Sequence, residues 1–483
     1  MQRSHCFIWG ITMRICHSDI RRIYSNTIAL CSFALLPLAT LASPSDNPPQ
    51  TEVFGLNQAI DVALDNNRLT TISQQALLTA EAQYQQAASS YWPTVSLNLG
   101  FQRRDEQAVF EYPQQNFDIA PGMLPPVAIP SQEIALLGRD TSLYSMDITY
   151  PLYTGGKRQS LVKQAKIGID LASQEIRRTN LQVVQDVKRY FYAALYTQQL
   201  VDLAEDITLS FEVLRDITES FYKGGSHSVD KLDLLKSKLA YSMAQSTTAE
   251  FQSNHDAALS ALTFAMGLEW HKKIQLQPDY KLISIESDSL QPLVEQAMAF
   301  NPQVEQLKLA VAAYESKVDE AKSGYYPTLG LIGSYEGFDS DLDGGLDNKT
   351  NRNSWMIGIG LKMNLFEGGR TRYKVSAAKS EEKKIAQQHL LIKDAVAMQV
   401  KNLFLKIQAA QQQVEITEHS LMTSEENRKL TGRAYKSGAV DTQKVIEANL
   451  FDAMIKANHY RARHDQALHL AEISYLLGKE ALH

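Results

Sequence analysis

The same order of segments occurs twice in this 483-residue chain. Residues 56–266 and 290–478 each predict a helix, two alternating strands joined by a polar loop, a very long helix, a glycine turn and a shorter return helix. Tyr91-Trp92-Pro93-Thr94 returns as Tyr325-Tyr326-Pro327-Thr328, and Tyr153-Thr154-Gly155-Gly156 returns as Phe366-Glu367-Gly368-Gly369. The fold must therefore accommodate two copies of a unit that joins paired strands to long helices.

Residues 1–42 predict a secretory signal segment. Arg21 and Arg22 precede an apolar stretch over 27–42, and a polar sequence rich in Ser, Pro and Asp follows, which is the order of a cleavable signal. The apolar stretch contains Pro37 and is short for a membrane-spanning helix of about 20 residues. All three cysteines lie in this segment, so the exported chain would contain none.

Charge and hydropathy argue against two classes of protein. Loss of residues 1–42 removes four Arg and one Asp and leaves a net charge of −9, which argues against nucleic-acid binding. No stretch of residues 43–483 approaches 18 consecutive apolar residues, so the sequence predicts no membrane-spanning helix. A membrane-embedded part would have to be built from strands, because lipid offers no partners to unpaired backbone groups.

Four segments alternate between apolar and polar side chains, as membrane strands do. They are predicted at about 94–104, 142–153, 328–336 and 354–366. A soluble sheet would alternate in the same way, with its apolar face buried. Aromatic residues at the helix-side strand ends favour a membrane location, where such girdles are typical. The predicted girdle consists of Tyr91, Trp92, Tyr150, Tyr153, Tyr325, Tyr326 and Phe366.

Two proline-free stretches of 67 residues predict helices about 100 Å long. The predicted elements are long helices at about 156–222 and 369–435, return helices at about 228–266 and 441–477, linkers at 43–55 and 267–289, and a C-terminal tail at 479–483. Four strands cannot close a barrel, so neighbouring copies must pair the open edges. Two copies would give eight strands, whose interior is filled by side chains, whereas three would give twelve, wide enough for a lumen. A channel therefore favours a trimer, although the geometry alone also permits larger rings.

In their order and duplication these motifs resemble the TolC-type outer-membrane efflux proteins over essentially the whole exported chain. The resemblance implies a mixed α and transmembrane β fold, in which a homotrimer with two internal repeats per chain forms a long α-helical barrel, a coiled-coil tunnel continuous with a 12-stranded outer-membrane β-barrel. It also implies the outer membrane of a Gram-negative bacterium, with the chain extending into the periplasm.

The function that the resemblance implies is a passive exit duct of a tripartite efflux or type I secretion system. Small molecules or polypeptides would pass through it, and an inner-membrane transporter would supply the energy. The implied partners are that transporter, a periplasmic adaptor (membrane fusion) protein and outer-membrane lipid. No cofactor is implied.

In that family acidic side chains narrow the periplasmic entrance, and the matching positions here are Lys444 and Glu447. The tyrosine of the family's tip network matches Tyr435, whereas the arginine and aspartate of its latch fall at Val440 and Lys231. Lys444, Glu447, Tyr435 and Lys231 are therefore the candidate entrance residues. A plain helical surface pair remains the alternative for Lys444 and Glu447.

The two glycine turns are the candidate adaptor-docking tips, because a turn at the end of a tube meets whatever docks there. They consist of Gly224 and Gly225 in the first copy and Ser437 and Gly438 in the second.

Other interpretations are weaker. A periplasmic coiled-coil adaptor or scaffold would be long-helical but would lack the alternating strands. An enzyme would need a reactive constellation, and the sequence has no H-E-x-x-H, G-x-S-x-G or phosphate-loop motif. A calcium loop beginning at Asp339 would have Thr350 at position twelve in place of the bidentate glutamate. His459, His464 and His469 are spaced by five, which predicts surface histidines and no metal site.

Overall fold

The computed structural model describes residues 52–479 except 120–122, 124, 227–228, 279–289 and 343–351. The predicted signal segment and parts of both predicted linkers lie outside the described residues. The same holds for most of the C-terminal tail and for positions 343–350 of the possible calcium loop.

Four helix lengths recur in the same order along the chain. Helices of 11, 21, 67 and 35 residues are followed by a second series of the same four lengths. The first series is α1 Leu56–Asn66, α2 Arg68–Ala88, α3 Lys157–Lys223 and α4 Lys231–Ala265. The second is α5 Leu290–Phe300, α6 Pro302–Lys322, α7 Arg370–Lys436 and α8 Thr442–Leu476. Among the described helices, none has a stretch apolar enough to cross a lipid bilayer.

The sequence pattern predicted one helix at the start of each repeat, but the structure has two helices there, separated by a sharp break. Asn67 separates α1 from α2, and its Oδ1 accepts a hydrogen bond from Leu69 N at 2.9 Å. Asn301 separates α5 from α6 and caps α6 in the same way. Each asparagine also donates through Nδ2 to the last turn of a return helix, at Ala265 O (2.8 Å) and Leu476 O (3.1 Å). The cap thus starts one helix and anchors it to another.

The structure contains ten strands in its described part. They are β1 Glu52–Phe54, β2 Thr94–Arg103, β3 Ala108–Tyr112, β4 Gln115–Phe117, β5 Val127–Ile129, β6 Gln132–Leu137, β7 Asp140–Tyr153, β8 Ile274–Leu276, β9 Thr328–Ser340 and β10 Asn353–Lys362. The four longest form one antiparallel sheet in the order β10-β9-β7-β2. Strands β1 and β8 form a small parallel pair that the sequence pattern did not predict.

The fourth strand of the sheet is shorter than predicted. It ends at Lys362 and not at residue 366, because its partner β9 begins at Thr328, opposite Lys362. The residue before β9 is Pro327, which has no N–H and cannot extend the ladder. Phe366 therefore lies beyond the strand, between the sheet and α7.

The segment between β2 and β7 is not the simple polar loop that the sequence predicted. Strand β3 pairs with β6, and β4 pairs with β5, both antiparallel. Short alternating runs on either side of the proline-rich stretch are long enough to pair, but alternation over so few residues gives only a weak signal in the sequence. The β3–β6 and β4–β5 pairs therefore extend the β2–β7 hairpin beyond the main sheet.

Glycines make the junctions between strands and long helices. Gly156 and Gly369 precede α3 and α7 with φ of 90° and 81°, a backbone conformation that favours glycine. A Cβ atom on Gly155 would lie 2.8 Å from both Ser323 O and Tyr326 Cβ. The first junction therefore packs closely against the start of β9.

The hydrophobic core runs along the helices in separate clusters. One cluster joins α1, α3 and the end of α4 around Phe191 and Leu262. A second joins α5, α7 and the end of α8 around Val400 and Ile473. A third lies toward the other ends of α3 and α7 and includes Tyr435. Helix α3 packs against α2, α4, α6 and α8, so it connects the two series.

Candidate functional site

The register of the main sheet places apolar side chains on one face. Directly opposed residues point to the same side, and the four-strand row Leu97, Met146, Tyr335 and Trp355 is apolar throughout. The next row along is Asn98, Ser145, Glu336 and Ser354, which is polar throughout. The sheet therefore has an apolar face and a polar face, as the alternation predicted.

Hydrogen bonds organise the polar face. Asn98 Nδ2 donates to Asp147 Oδ2 at 2.8 Å, and Ser145 Oγ donates to the same oxygen at 3.0 Å. Ser354 Oγ donates to Glu336 Oε1 at 3.2 Å. On the apolar face Leu97 and the side chains like it remain largely exposed in the single chain. An exposed apolar surface of this extent indicates contact with lipid or protein.

The predicted girdle residues gather at one end of the sheet. Two pairs, Tyr91-Trp92 and Tyr325-Tyr326, lie just before β2 and β9. Tyr150 and Tyr153 lie near the end of β7, and Phe366 follows β10. Six of the seven are exposed, while Tyr150 is half-buried. Because the strands are antiparallel, these positions form a single row on the side of the sheet that faces the helices.

Arg158 connects this row to α3. Its guanidinium lies over the Tyr91 ring, 4.6 Å from the centroid, and its Nη2 donates to Leu152 O at 3.0 Å. The side chain is buried although it carries a charge. The cation–π contact and the carbonyl bond offset the loss of water around that charge.

The two candidate tips are left-handed glycine turns at the same end of the helices. Gly225 has φ of 72° and Gly438 has φ of 76°. Gly438 N donates to Tyr435 O at 2.9 Å, and Ala439 N donates to Ala434 O at 2.9 Å, the paired bonds of a Schellman turn. Gly224 ends α3, and Ser437 takes the matching place after α7.

Tyr435 lies inside the tip region and bridges both series. Its side chain is 4% exposed, and its Oη is 2.7 Å from Thr218 Oγ1 and 3.1 Å from Thr442 Oγ1. Thr218 belongs to α3 and Thr442 to α8. The tyrosine predicted for the entrance therefore links helices from both halves of the chain.

The structure brings Lys444 and Glu447 together but leaves Lys231 apart. Lys444 Nζ lies 3.3 Å from Glu447 Oε2, one turn along α8, and both side chains are solvent-exposed. Gln443 Nε2 donates to the other carboxylate oxygen at 3.2 Å. Lys231 is the exposed first residue of α4 and forms no ion pair in the part of the chain that the structure describes.

An ionic cluster around the buried carboxylate of Asp452, near the tips, was not predicted. Arg428 Nη1 donates to Asp206 Oδ2 at 2.7 Å, and its Nε lies 3.3 Å from Asp452 Oδ2. Lys456 Nζ is 2.9 Å from the same Asp452 oxygen, and Ser424 Oγ donates to Oδ1 at 2.9 Å. Asp452 and Lys456 are four residues apart on α8, which is a sequence signal for an ion pair. That spacing gives no sign that Arg428 of α7 and Asp206 of α3 join the pair.

The prediction of surface histidines was wrong for His459. This side chain is buried, and its Nδ1 is 3.0 Å from Thr417 Oγ1 across the α7–α8 pair. Burial lowers the pKa of His459, the positive charge of Arg463 lowers it further, and Glu418 opposes both effects. His464 and His469 are half-buried and contact Asp465 and Glu472 on their own helix.

The main sheet has one apolar face, is bounded at one end by aromatic residues, and is joined to two helices of 67 residues each. This combination is typical of outer-membrane channel proteins. The chain belongs to the outer membrane efflux protein family, whose model matches residues 59–268 and 293–479. The protein accordingly resides in the outer membrane and extends into the periplasm.

Individual relatives are distant in sequence. Alkaline protease secretion protein AprF of Pseudomonas aeruginosa is 23% identical over 47% of this chain, which covers 46% of that relative's length. Nodulation protein T of Rhizobium leguminosarum bv. trifolii is 22% identical over 70% of this chain and 72% of its own length. The crystal structure of the Campylobacter jejuni CmeC outer membrane channel has the same fold, with a TM-score of 0.72 and 15% identity over 88% of this chain and 85% of that one.

Proposed function

We propose that the protein is the outer-membrane exit duct of a tripartite efflux or type I secretion system. The observation that carries this proposal is the main sheet, which has one apolar face and ends in the edge strands β2 and β10. In lipid, an open edge leaves backbone groups without partners. In the proposed assembly β2 of one copy pairs with β10 of the next, and three copies close a barrel of twelve strands around a lumen.

Each chain then contributes two internal repeats, 56–266 and 290–478. The recurrence of the four helix lengths supports this division. Three chains would supply six repeats, so that the coiled-coil tunnel below the barrel has nearly sixfold symmetry. The polar face of the sheet, with Asn98 and Asp147, lines the lumen, and the apolar face contacts lipid.

The candidate residues take distinct roles in this assembly. The seven girdle aromatics lie at the periplasmic boundary of the bilayer, where amphipathic rings are stable. The Gly224-Gly225 and Ser437-Gly438 turns dock a periplasmic adaptor protein. Lys444 and Glu447 line the entrance beside the tyrosine network of Tyr435.

Within the described residues, the structure offers no group of side chains suited to hold a metal ion.

Transport through the duct is passive, and an inner-membrane transporter provides the energy. The name of the relative AprF refers to secretion of a protease, which supports polypeptide cargo as one option. The transporter that delivers the cargo determines which molecules pass.

The proposal is tested by the conductance of the purified mature protein in a planar bilayer and by its mass in detergent. A trimer that conducts is the expected result, and a monodisperse monomer without conductance would contradict the proposal. A charge-swapped variant, Lys444→Glu with Glu447→Lys, keeps the pair but exchanges its charges. Its ion selectivity changes if the pair lines the entrance and stays constant if the pair is only a surface feature.

A further inference from the structure

The helices of the two halves of the chain correspond residue by residue. Helix α3 begins at residue 157 and α7 at residue 370, a shift of 213 that takes the buried Phe191 to the buried Phe404. Helices α4 and α8 begin at 231 and 442, a shift of 211 that takes Leu262 to Ile473, both fully buried. Helices α2 and α6 begin at 68 and 302, a shift of 234. Each contact of one half therefore has a defined counterpart in the other.

The two long helices differ in what surrounds them. Helix α3 packs against α2 and α4 of its own repeat and also against α6 and α8 of the other repeat. Helix α7 packs against α5, α6 and α8, all of its own repeat, and in the described part of the chain it has no contact of this extent with α2 or α4. The single chain therefore contains one junction between repeats, and the corresponding side of α7 is open.

The junction within the chain is polar at the level where α3 meets α6 and the end of α8. Gln306 Nε2 of α6 donates to Glu175 Oε2 of α3 at 2.8 Å. Arg178 forms an ion pair with the same Glu175. The pKa of Arg178 is raised mainly by Glu175, against the effect of burial, and further by Tyr475 of α8. Charged and hydrogen-bonding side chains therefore join the two repeats here.

The residues at the corresponding places of the open sides are apolar. With the shifts given for each pair of helices, Arg178, Tyr475 and Gln306 correspond to Leu391, Phe264 and Ile72, in that order. Leu391 is 66% exposed on α7, Phe264 is 82% exposed on α4, and Ile72 is 62% exposed on α2. The chain thus carries two apolar faces at one level, the first on α7 and the second on α2 and α4.

The repeats identify the molecule that fits these faces as a second copy of the chain. In a ring of three copies each repeat lies between two others, so the packing of α3 on α6 and α8 recurs as packing of α7 on α2 and α4 of the next copy. Such a contact is head-to-tail, and a ring leaves none of these faces open. The apolar face on α7 then meets the apolar face on α2 and α4.

We propose that Leu391 of one copy packs against Ile72 and Phe264 of the next copy, so that the seam between copies is apolar where the junction between repeats is polar. This inference rests on the trimer described under Proposed function. Three exposed apolar side chains lose their contact with water when the seam forms, which favours assembly. An apolar seam is typical of subunits that are stable only when assembled.

Cross-linking of paired cysteines tests the seam. The native cysteines at positions 6, 16 and 31 are first replaced by serine, and a short bismaleimide is added to the purified protein. Leu391→Cys combined with Phe264→Cys should give covalent trimers. The double variant should yield about tenfold more linked product than either single variant, because a head-to-tail contact places each residue opposite the other and not opposite itself. Equal yields from single and double variants would overturn the seam.

The junction within the chain supplies the matched control. Arg178→Cys combined with Tyr475→Cys occupies the same places between the two repeats, so its cross-link should form without an increase in mass. If this control pair also linked separate chains, the correspondence between the two junctions would be wrong and the seam would be overturned. If the first double variant fails to fold, Gln388→Cys with Ile72→Cys replaces it, because Gln388 corresponds to Glu175.

The mass of the protein in detergent separates the seam from the trimer. Monomers of the native protein would contradict both. Trimers of the double variant whose thiols stay unlinked and react fully with a water-soluble maleimide would contradict the seam alone, since this side of α7 would then be free for another partner, such as the periplasmic adaptor.

A charge placed in the seam gives an independent measurement. Leu391→Arg lacks the carboxylate that Arg178 has in Glu175, because Gln388 takes that place, and it should lower the temperature at which the trimer dissociates in detergent. Met422→Arg is the matched control on α7. Met422 is also exposed, but its counterpart on α3 stays 60% exposed even though α3 has neighbours on both sides. Equal effects in the two variants, or none in either, would overturn the proposal.

Discussion

Arg428 of α7 and Asp452 of α8 form an ion pair in which Nε lies 3.3 Å from Oδ2 and the Asp452 side chain is 0% exposed. The same guanidinium reaches Asp206 on α3 at 2.7 Å. One side chain therefore connects helices from both halves of the chain near the tips. A buried carboxylate is tolerated only with such partners, because burial removes the water that would otherwise solvate its charge.

Replacement of this arginine by an apolar residue should destabilise the tip region. In Arg428→Met, Asp452 keeps Lys456 and Ser424 but loses its second cation, and Asp206 loses its partner. We expect the free energy of unfolding to fall by about 3 kcal/mol, which is at the lower end of the range for removing one partner of a buried ion pair. Thermal unfolding and hydrogen exchange of α8 measure the effect. Arg461→Met is the control, because Arg461 is exposed and pairs with Asp465 at 3.7 Å; equal losses in the two variants would contradict the prediction.

Loss of the buried tyrosine hydroxyl should favour an open entrance. Tyr435→Phe removes the bonds to Thr218 and Thr442, which stabilise the packed tips by about 1 kcal/mol. A change of that size shifts a two-state population about fivefold. Single-channel recordings should show a higher open probability. Tyr222→Phe is the matched control, since Tyr222 holds the corresponding place at the end of α3 but is exposed. An equal effect in both variants would exclude a specific role for the Tyr435 network.

The order of the four main strands, the long helices and the return helices, and the two faces of the sheet, could be predicted because they depend on local patterns. Alternation determines which side chains share a face, and a long stretch without proline predicts a long helix. The predicted starts of α3 and α7 lie within one residue of the observed ones. The family resemblance also indicated a tip network around Tyr435.

The features that were missed depend on contacts between distant segments. Asn67 and Asn301 break helices because their amides also reach Ala265 and Leu476. His459 is buried because α7 packs over it. Its neighbour Thr417 lies on α7, so the spacing of residues on α8 alone could not indicate this contact. The Arg428 cluster joins three helices in the same way. Such contacts become visible only when the helices are placed side by side.

Stability should fall on acidification because of His459. Burial and the nearby Arg463 lower its pKa in the folded state, against the ordinary value of 6.5. The unfolded chain therefore binds more protons below about pH 6.5, and folding free energy is lost as pH falls through that value. Thermal midpoints measured between about pH 7.5 and 5 should decline in the native protein, and His459→Gln should reduce the slope. His419→Gln, at an exposed position on α7, is the control, and the same slope in all three proteins would contradict the assignment.

Two neighbouring residues of β10 should respond in opposite ways to the same substitution. Ile357 lies on the apolar face and opposes Gly333, whereas Met356 lies on the polar face and opposes Ser334. Both side chains are exposed in the single chain, so burial within one copy does not distinguish them. Ile357→Lys would place a charge in the hydrocarbon near the middle of the strand, at a cost of about 2–4 kcal/mol.

Met356→Lys would place the same charge in the water-filled lumen, where it can remain solvated. We therefore expect Ile357→Lys to lower the yield of assembled protein in outer-membrane fractions, and Met356→Lys to assemble normally and shift ion selectivity toward anions. Membrane fractionation and reversal potentials measure these effects. If Met356→Lys were the variant that fails to assemble, the faces would be reversed, and if both variants assembled without a change in selectivity, the sheet would not enclose a lumen.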